Sequence, residues 1–489
     1  MSKKYSLKTN AIFNALYQIL LLIVPLITTP YVSRVLGPSQ NGVYANLFSV
    51  SQYFILVATF GLVEYGTIQI AKNRDNPKNK TKYFVSIFGT KLILGIGSAL
   101  LYIVTCYFLY DYNTFLLSLI FSLLIITTAI DPLFYFQGEE RFINICIKNM
   151  ILKILTTVFI FIFVKKQEDL YIYALILSIG QLLSTVILIP SIKFKEFVKV
   201  EINFNDFFEC FKNSFAFFVP SLAVTLFTYL NQTLIGAMNP NINESGYFAQ
   251  SVKIIQILAV VASSLSTIML SRISYLNAIN DEEEIQRKIK KTFQAFWVIS
   301  IPLILGVIVI ASNFIPLFLG EGYDECVILL YVLSPTIILG PLNGFYGSLY
   351  YRPKNKIRIQ TFIILGSAVL NLIVSVLLIP QYGALGTAIG RLIAEFCQLP
   401  FLIYFSRKYI KTKDLVFSSI KPIISGLIMF ICVLLFKLYG ATLVNNEIIS
   451  LLLMIMIGAL VYGVLELTLK DDIVYSNFKL VTRKIFKIK

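Results

Sequence analysis

Apolar runs of about 20 residues recur from one end of this sequence to the other, separated by short polar connections, and few folds tolerate that pattern. A hydrocarbon slab of about 30 Å needs roughly 20 helical residues to cross it, at about 1.5 Å each, and backbone polar groups inside it must find partners within their own segment. Marking every run of that length predicts an all-α polytopic membrane protein of about 14 transmembrane helices. The runs cover residues 11–32, 42–66, 83–110, 114–137, 142–164, 170–190, 214–238, 246–270, 293–318, 326–350, 358–379, 383–406, 418–438 and 447–469. Composition agrees: 57% of residues are hydrophobic and 14% charged, whereas soluble chains carry about 25% charged residues. The first run follows Lys3, Lys4 and Lys8, but it is longer than a signal-peptide core and lacks a small-x-small cleavage site, so it is expected to be retained.

A net charge of +16 would suggest nucleic acid in a soluble protein. Here most of the Lys and Arg fall in alternate connections, a distribution that the positive-inside rule explains without a nucleic-acid partner. Both termini are then expected on the cytoplasmic side, and the outer connections are too short for a domain. There is no histidine, which removes Ser/His/Asp catalysis, ordinary zinc sites and a histidine proton relay. The six cysteines lie far apart, with no Cys-x-x-Cys, and are expected to be buried thiols. No Walker loop occurs and no cytoplasmic segment is long enough to fold around a nucleotide, so neither a cofactor nor direct ATP drive is expected.

An internal repeat organises the runs. The first ends Val35-Leu36-Gly37 and the second opens Gly42-Val43-Tyr44-Ala45; the seventh ends Leu234-Ile235-Gly236 and the eighth opens Gly246-Tyr247-Phe248-Ala249. Pro25 and Pro220 precede the terminal glycines. The expected organisation is an N-terminal lobe over 1–190, a cytoplasmic amphipathic linker over 191–213, a C-terminal lobe over 214–406, and two appended helices with a basic tail over 407–489. The linker alternates charge with phenylalanines and predicts an interfacial helix. Repeat lobes of this sort place their substrate between them near the bilayer midplane.

Several segments resemble the Wzx-type polysaccharide flippases, relatives of the lipid II flippases and the multidrug and toxin extruders. They are Thr29-Pro30-Tyr31-Val32-Ser33-Arg34-Val35-Leu36-Gly37, Gly42-Val43-Tyr44-Ala45, Gly61-Leu62 ahead of Ala71-Lys72-Asn73-Arg74-Asp75, Asp131-Pro132 with Phe136-Gln137-Gly138, and Gly246-Tyr247-Phe248-Ala249 with Lys253. The resemblance implies 14 helices, two pseudo-symmetric lobes around a central cavity and alternating access. It also implies a lipid-linked oligosaccharide substrate on undecaprenyl pyrophosphate, moved from the inner to the outer leaflet of a bacterial cytoplasmic membrane during capsule or O-antigen assembly, alongside polysaccharide polymerase machinery. Two departures stand out. Many relatives have a Trp after the Asp-Pro pair, where this chain reads Leu133-Phe134-Tyr135, and relatives often carry an acid late in the seventh span, where this chain has Asn231-Gln232. The second departure puts a proton or sodium coupling ion that relies on that acid in question.

Charges within the runs are the candidate site, because a charge facing lipid costs about 2.5–3.5 kcal/mol even on the lenient insertion scale. A pyrophosphate crossing such a slab needs cations along its path. Lys253 comes first, roughly 10 Å below the outer end of its span; the alternative is a lysine snorkelling to the surface. Arg34 marks the outer mouth or anchors a helix end. Arg391 and Glu395, four residues apart, can neutralise one another. Lys91 and Lys153 are further candidate cavity cations, although they come early enough in their helices to snorkel to the cytoplasm, and so is Lys421, which follows a loop closely. Glu64 either exchanges a proton or caps the surface, Asp131 before Pro132 suggests a bend and gate, and Asn231 is a further coupling candidate. No metal site is expected. Two competitors are a membrane polysaccharide polymerase or ligase, which would present a large outer loop, and an ion-coupled multidrug exporter, which would carry acids in its lumen.

Overall fold

The computed structural model describes the backbone of residues 7–279, 281–354, 356–410, 419–440, 444–471, 473–476 and 479. Lys3, Lys4 and most of the basic tail lie outside the described residues. Among those described, all regular structure is helical. Twelve stretches of the described residues are long and apolar enough to cross a membrane. Two of them, Ile19–Lys72 and Ile357–Ser406, hold 54 and 50 residues; at about 1.5 Å per residue each exceeds 70 Å, enough for two crossings. Each breaks at a glycine in the left-handed region, Gly37 (φ 71°) and Gly383 (φ 53°). Taken as double crossings, they bring the total to the 14 spans that the runs predict.

By packing, the chain divides into two compact units, Met1–Gly246 and Tyr247–Lys489. The first holds α1 (Leu7–Thr59), α2 (Leu62–Lys72), α3 (Pro77–Leu109), α4 (Tyr112–Ile130), α5 (Leu133–Gly138), α6 (Phe142–Phe163), α7 (Leu170–Val186) and α8 (Phe204–Met238), and the helix α9 (Ile242–Ala278) starts in it. The second holds the rest of α9, α10 (Glu282–Leu319), α11 (Glu325–Leu333), α12 (Thr336–Tyr346), α13 (Ile357–Ser406), α14 (Ile420–Leu435) and α15 (Glu447–Thr468). The first compact unit thus runs past residue 213, where the sequence places the lobe boundary, because α8 packs on α1, α2 and α3.

Helices in lipid gain little from burying apolar surface, since the solvent is equally apolar, and associate instead through close backbone approach and internal hydrogen bonds. On α3 the usual pattern is accordingly inverted. Ser86, Thr90, Gly95 and Ser98 are buried, while Ile93 and Leu100 are exposed. Ser98 Oγ donates to the Phe54 carbonyl at 2.6 Å. The repeat glycines serve the same end. A Cβ on Gly42 would run into the Ile242 carbonyl, and one on Gly246 into the Pro38 carbonyl, so two helix starts cross backbone against backbone there. Ser245 Oγ, which donates to the Gly42 carbonyl at 3.2 Å, fastens the crossing.

The continuous interfacial helix expected over 191–213 does not form. The preceding helix ends at Val186, short 3₁₀ turns cover Ile189–Ser191 and Phe194–Glu196, and residues 197–203 form no regular structure, with Phe197 and Asn203 extended. Val198, Val200 and Ile202 alternate with Lys199 and Glu201, a period of two that suits extended chain better than helix. Phe197 packs instead on Phe84 and Tyr135, with ring centroids 4.9 and 6.0 Å away. Helix α8 then starts on a reciprocal cap between Asn203 and Asp206. Asp281 caps α10, its Oδ1 accepting from the Glu284 amide at 3.1 Å, and the helix it opens runs unbroken through the ninth span to Leu319.

Candidate functional site

In the second unit, α9, α12 and the latter part of α13 line an open cavity of about 380 Å³. Its α9 wall presents Gln256, Ser263 and Ser266 at offsets of 7 and 10 residues, one face of a helix. The α12 wall is unusually low: Gly340 and Gly344, one turn apart, expose backbone where other helices project side chains. A π-helical turn, Gly347–Tyr351, continues α12, with the Arg352 amide donating to the Gly347 carbonyl at 3.0 Å. The wide turn slows the helix rotation, which keeps Arg352 on the side of Gly340, Gly344 and Ser348. On α13, Arg391 and Glu395 complete the lining.

The Arg391 Nε donates to Glu395 Oε1 at 3.0 Å, and Glu395 is only 3% exposed. Its other oxygen, Oε2, is buried without a hydrogen-bond partner among the described residues, and so is Ser266 Oγ. Orphaned acceptors of this kind cost roughly 1–3 kcal/mol each in a closed interior, more for charged groups, so here they call for a donor inside the cavity. Asn343 steadies the wall, donating Nδ2 to Gln398 Oε1 at 3.2 Å and to the Glu395 carbonyl at 3.4 Å. Tyr351 Oη likewise ties the π turn to the Leu402 carbonyl at 3.0 Å. Arg352 is exposed at the rim and makes no ion pair among the described residues. Two guanidiniums against one carboxylate leave the lining with one net positive charge. A second cavity, about 420 Å³ and lined by Phe362, Phe401 and Phe405 on α13, holds no charged group.

Of the residues singled out in the sequence, only Arg391 and Glu395 meet in this cavity. Lys253, half-buried, precedes Gln256 by three residues and Val260 by seven, on the same face of α9 but one turn outside the lining. Lys91 does not snorkel: it is fully buried, and its Nζ donates to the Asp131 carbonyl at 2.6 Å and lies 5.7 Å from the Phe134 ring centre. It braces the break between α4 and α5, where Asp131 Oδ1 accepts from the Leu133 amide at 3.0 Å and Pro132 interrupts the helix. Glu64 is exposed in the first turn of α2, a favourable place for an acid at a helix N-terminus. Arg34 is exposed near the Gly37 break, Lys153 is half-buried on α6, and Asn231 is buried on α8 beside Gln232, which donates to the Ser245 carbonyl at 3.0 Å. Lys421 caps elsewhere, its Nζ donating to the Lys470 carbonyl at 3.0 Å. In the sequence Arg352 adjoins a basic connection and nothing sets it apart; the glycine pair on α12 and the polar stripe on α9 are the signals the sequence offers.

Residues 7–276 match the family described as "Polysaccharide biosynthesis protein". The chain is 24% identical over 413 residues to a "Putative O-antigen transporter" of Escherichia coli (strain K12), covering 83% of this chain and 98% of that protein. It is 23% identical over 269 residues to the "Probable low-salt glycan biosynthesis flippase Agl15" of Haloferax volcanii, 55% of each. Among solved structures it is similar to the lipid II flippase MurJ in an inward closed conformation, with a TM-score of 0.74 at 17% identity over 94% of this chain and all of that one. An inward-facing multidrug resistance transporter of the MATE family follows at 0.60 and 13% identity, covering 80% of this chain and 98% of that chain. At such identities the likeness speaks for the fold.

Proposed function

Since this chain belongs to the polysaccharide biosynthesis protein family, we propose that it is a flippase, a transporter and not an enzyme, which carries lipid-linked oligosaccharide across the cytoplasmic membrane of a bacterium by alternating access. The carrier is undecaprenyl pyrophosphate, the direction is from the inner to the outer leaflet, and both termini are cytoplasmic. The observation that carries this reading is a charged, hydrogen-bonding cavity walled by spanning helices. Polar groups at that depth are costly unless something polar passes or binds. Relatives named for O-antigen transport and glycan flipping support the same reading. Lys253 and Arg34 draw the pyrophosphate while the lipid tail stays in the bilayer, and the break at Asp131–Pro132, which Lys91 braces in this conformation, is the bend at which α4 and α5 part during the cycle.

The test is genetic. Cells lacking the protein, and lacking any second flippase, should lose complete surface polysaccharide and accumulate the lipid-linked unit facing inwards. Full polysaccharide in such cells would sink the proposal. Substituting Lys253 by Ala or Glu should depress export at unchanged protein level. The likeness to MATE transporters favours one other reading, export of drugs. The cavity weighs against cationic drugs, since its arginines outnumber its single carboxylate.

A further inference from the structure

We propose that the cavity in the second unit is a saccharide subsite that takes one anionic sugar ring, with the acid group on Arg352 and Arg391 and a sugar hydroxyl donating to Glu395 Oε2. The inference rests on the reading that a glycan passes through this protein, and it names the part of that glycan the cavity receives.

The lining selects the ligand by what each group can and cannot do. A guanidinium only donates hydrogen bonds and an ionised carboxylate only accepts them. A simple anion would satisfy the arginines but leave Glu395 Oε2 orphaned and facing like charge. A simple cation would satisfy Glu395 and meet two arginines. A neutral sugar would bring hydroxyl donors but leave Arg352 without an acceptor of opposite charge. A sugar bearing a carboxylate or phosphate supplies donors and a negative acceptor at once, and its hydroxyls also suit Ser266 Oγ, the other buried orphan. The volume, about 380 Å³, lies at the low end of the roughly 300–1,000 Å³ typical of small-molecule sites. It therefore suits a single substituted ring better than a whole repeat unit.

The space is held open by sequence and not by loose packing. A Cβ on Gly344 would meet nothing within 4 Å, and one on Gly340 would meet only Glu395 Oε2, at 3.7 Å. A Cβ on Gly344 therefore enters open space, so a side chain there grows from the wall into the cavity, which separates occupancy of the site from folding of the protein.

The experiment uses purified full-length protein in detergent, titrated with glucuronate, glucose 1-phosphate, glucose and inorganic phosphate by calorimetry and saturation-transfer NMR. Either or both anionic sugars should bind at least about tenfold more tightly than glucose or phosphate, the discrimination that one lost charged hydrogen bond produces; which of them binds identifies the acid group. Arg352→Ala should reduce anionic sugars to the level of glucose. Gly344→Leu should abolish binding with an unchanged melting temperature. Phosphate binding as tightly as the sugars would make this a plain anion site and overturn the inference, as would binding that survives Gly344→Leu, or no binding of any probe. The same variant tested in cells separates the two proposals. Normal export by Gly344→Leu would dismiss the subsite and spare the flippase reading, whereas full polysaccharide without the protein would dismiss the flippase reading whatever the purified protein binds.

Discussion

Gly42 and Gly344 are both glycines inside helices, yet their surroundings are opposite. A methyl group on Gly42 would collide with the Ile242 carbonyl, and one on Gly344 would enter empty space. Overpacking a close contact costs about 1–3 kcal/mol, whereas glycine in a helix costs roughly 0.5–1 kcal/mol relative to alanine. Gly42→Ala should therefore lower the melting temperature and Gly344→Ala should leave it level or raise it. Cys106, Cys146, Cys210 and Cys326 are buried thiols, so a thiol-reactive dye that fluoresces as they become exposed on heating measures both. Equal shifts for the two variants would contradict the crossing described at Gly42. Lys91 shows the limit of reading single residues: a lysine early in a span looks like a snorkelling cation, and only its neighbours reveal a brace on the Asp131 carbonyl.

At the scale of elements, the segment joining α7 to α8 is held by charge and not by helical structure. Glu196 accepts from Lys193 at 2.6 Å and from Lys80 at 2.9 Å. These partners, Lys193 foremost, hold its carboxyl down at about 2, below the ordinary 4.5. A carboxyl depressed on folding strengthens the folded arrangement above its ordinary pKa, and that contribution drains away as pH falls towards the depressed value. A spin label at Lys199→Cys, in a background without native cysteines, should therefore become more mobile between about pH 4.5 and 2. In Glu196→Gln the label should be mobile throughout. A label equally immobile in the variant would show that Phe197 and its ring partners suffice to hold the segment. The alternation of valine and isoleucine with charge that favours extended chain was visible in the sequence, but phenylalanines spaced among charges suggested an amphipathic helix equally well.

For the molecule as a whole, the charge distribution makes a directional prediction. In intact cells an impermeant thiol reagent should label Asn241→Cys, at the exposed turn between α8 and α9, and should reach Lys78→Cys, exposed near the start of α3, only after permeabilisation. The reverse pattern would invert the proposed topology. Helix content, the number of spans, the breaks near Gly37 and Gly383, and the Arg391–Glu395 pair were all legible in the sequence. Each depends on properties local along the chain: run length, charge placement, glycine and proline position, and a spacing of four on one helix. The cavity was not legible, because its walls come from α9, α12 and α13, far apart in sequence, and its volume depends on which faces those helices turn to one another. Sequence alone determined the solvent this protein lives in and how often it crosses it. Only the tertiary structure decided which of its charges brace helices and which line a space, since a buried charge takes its meaning from the partner it meets.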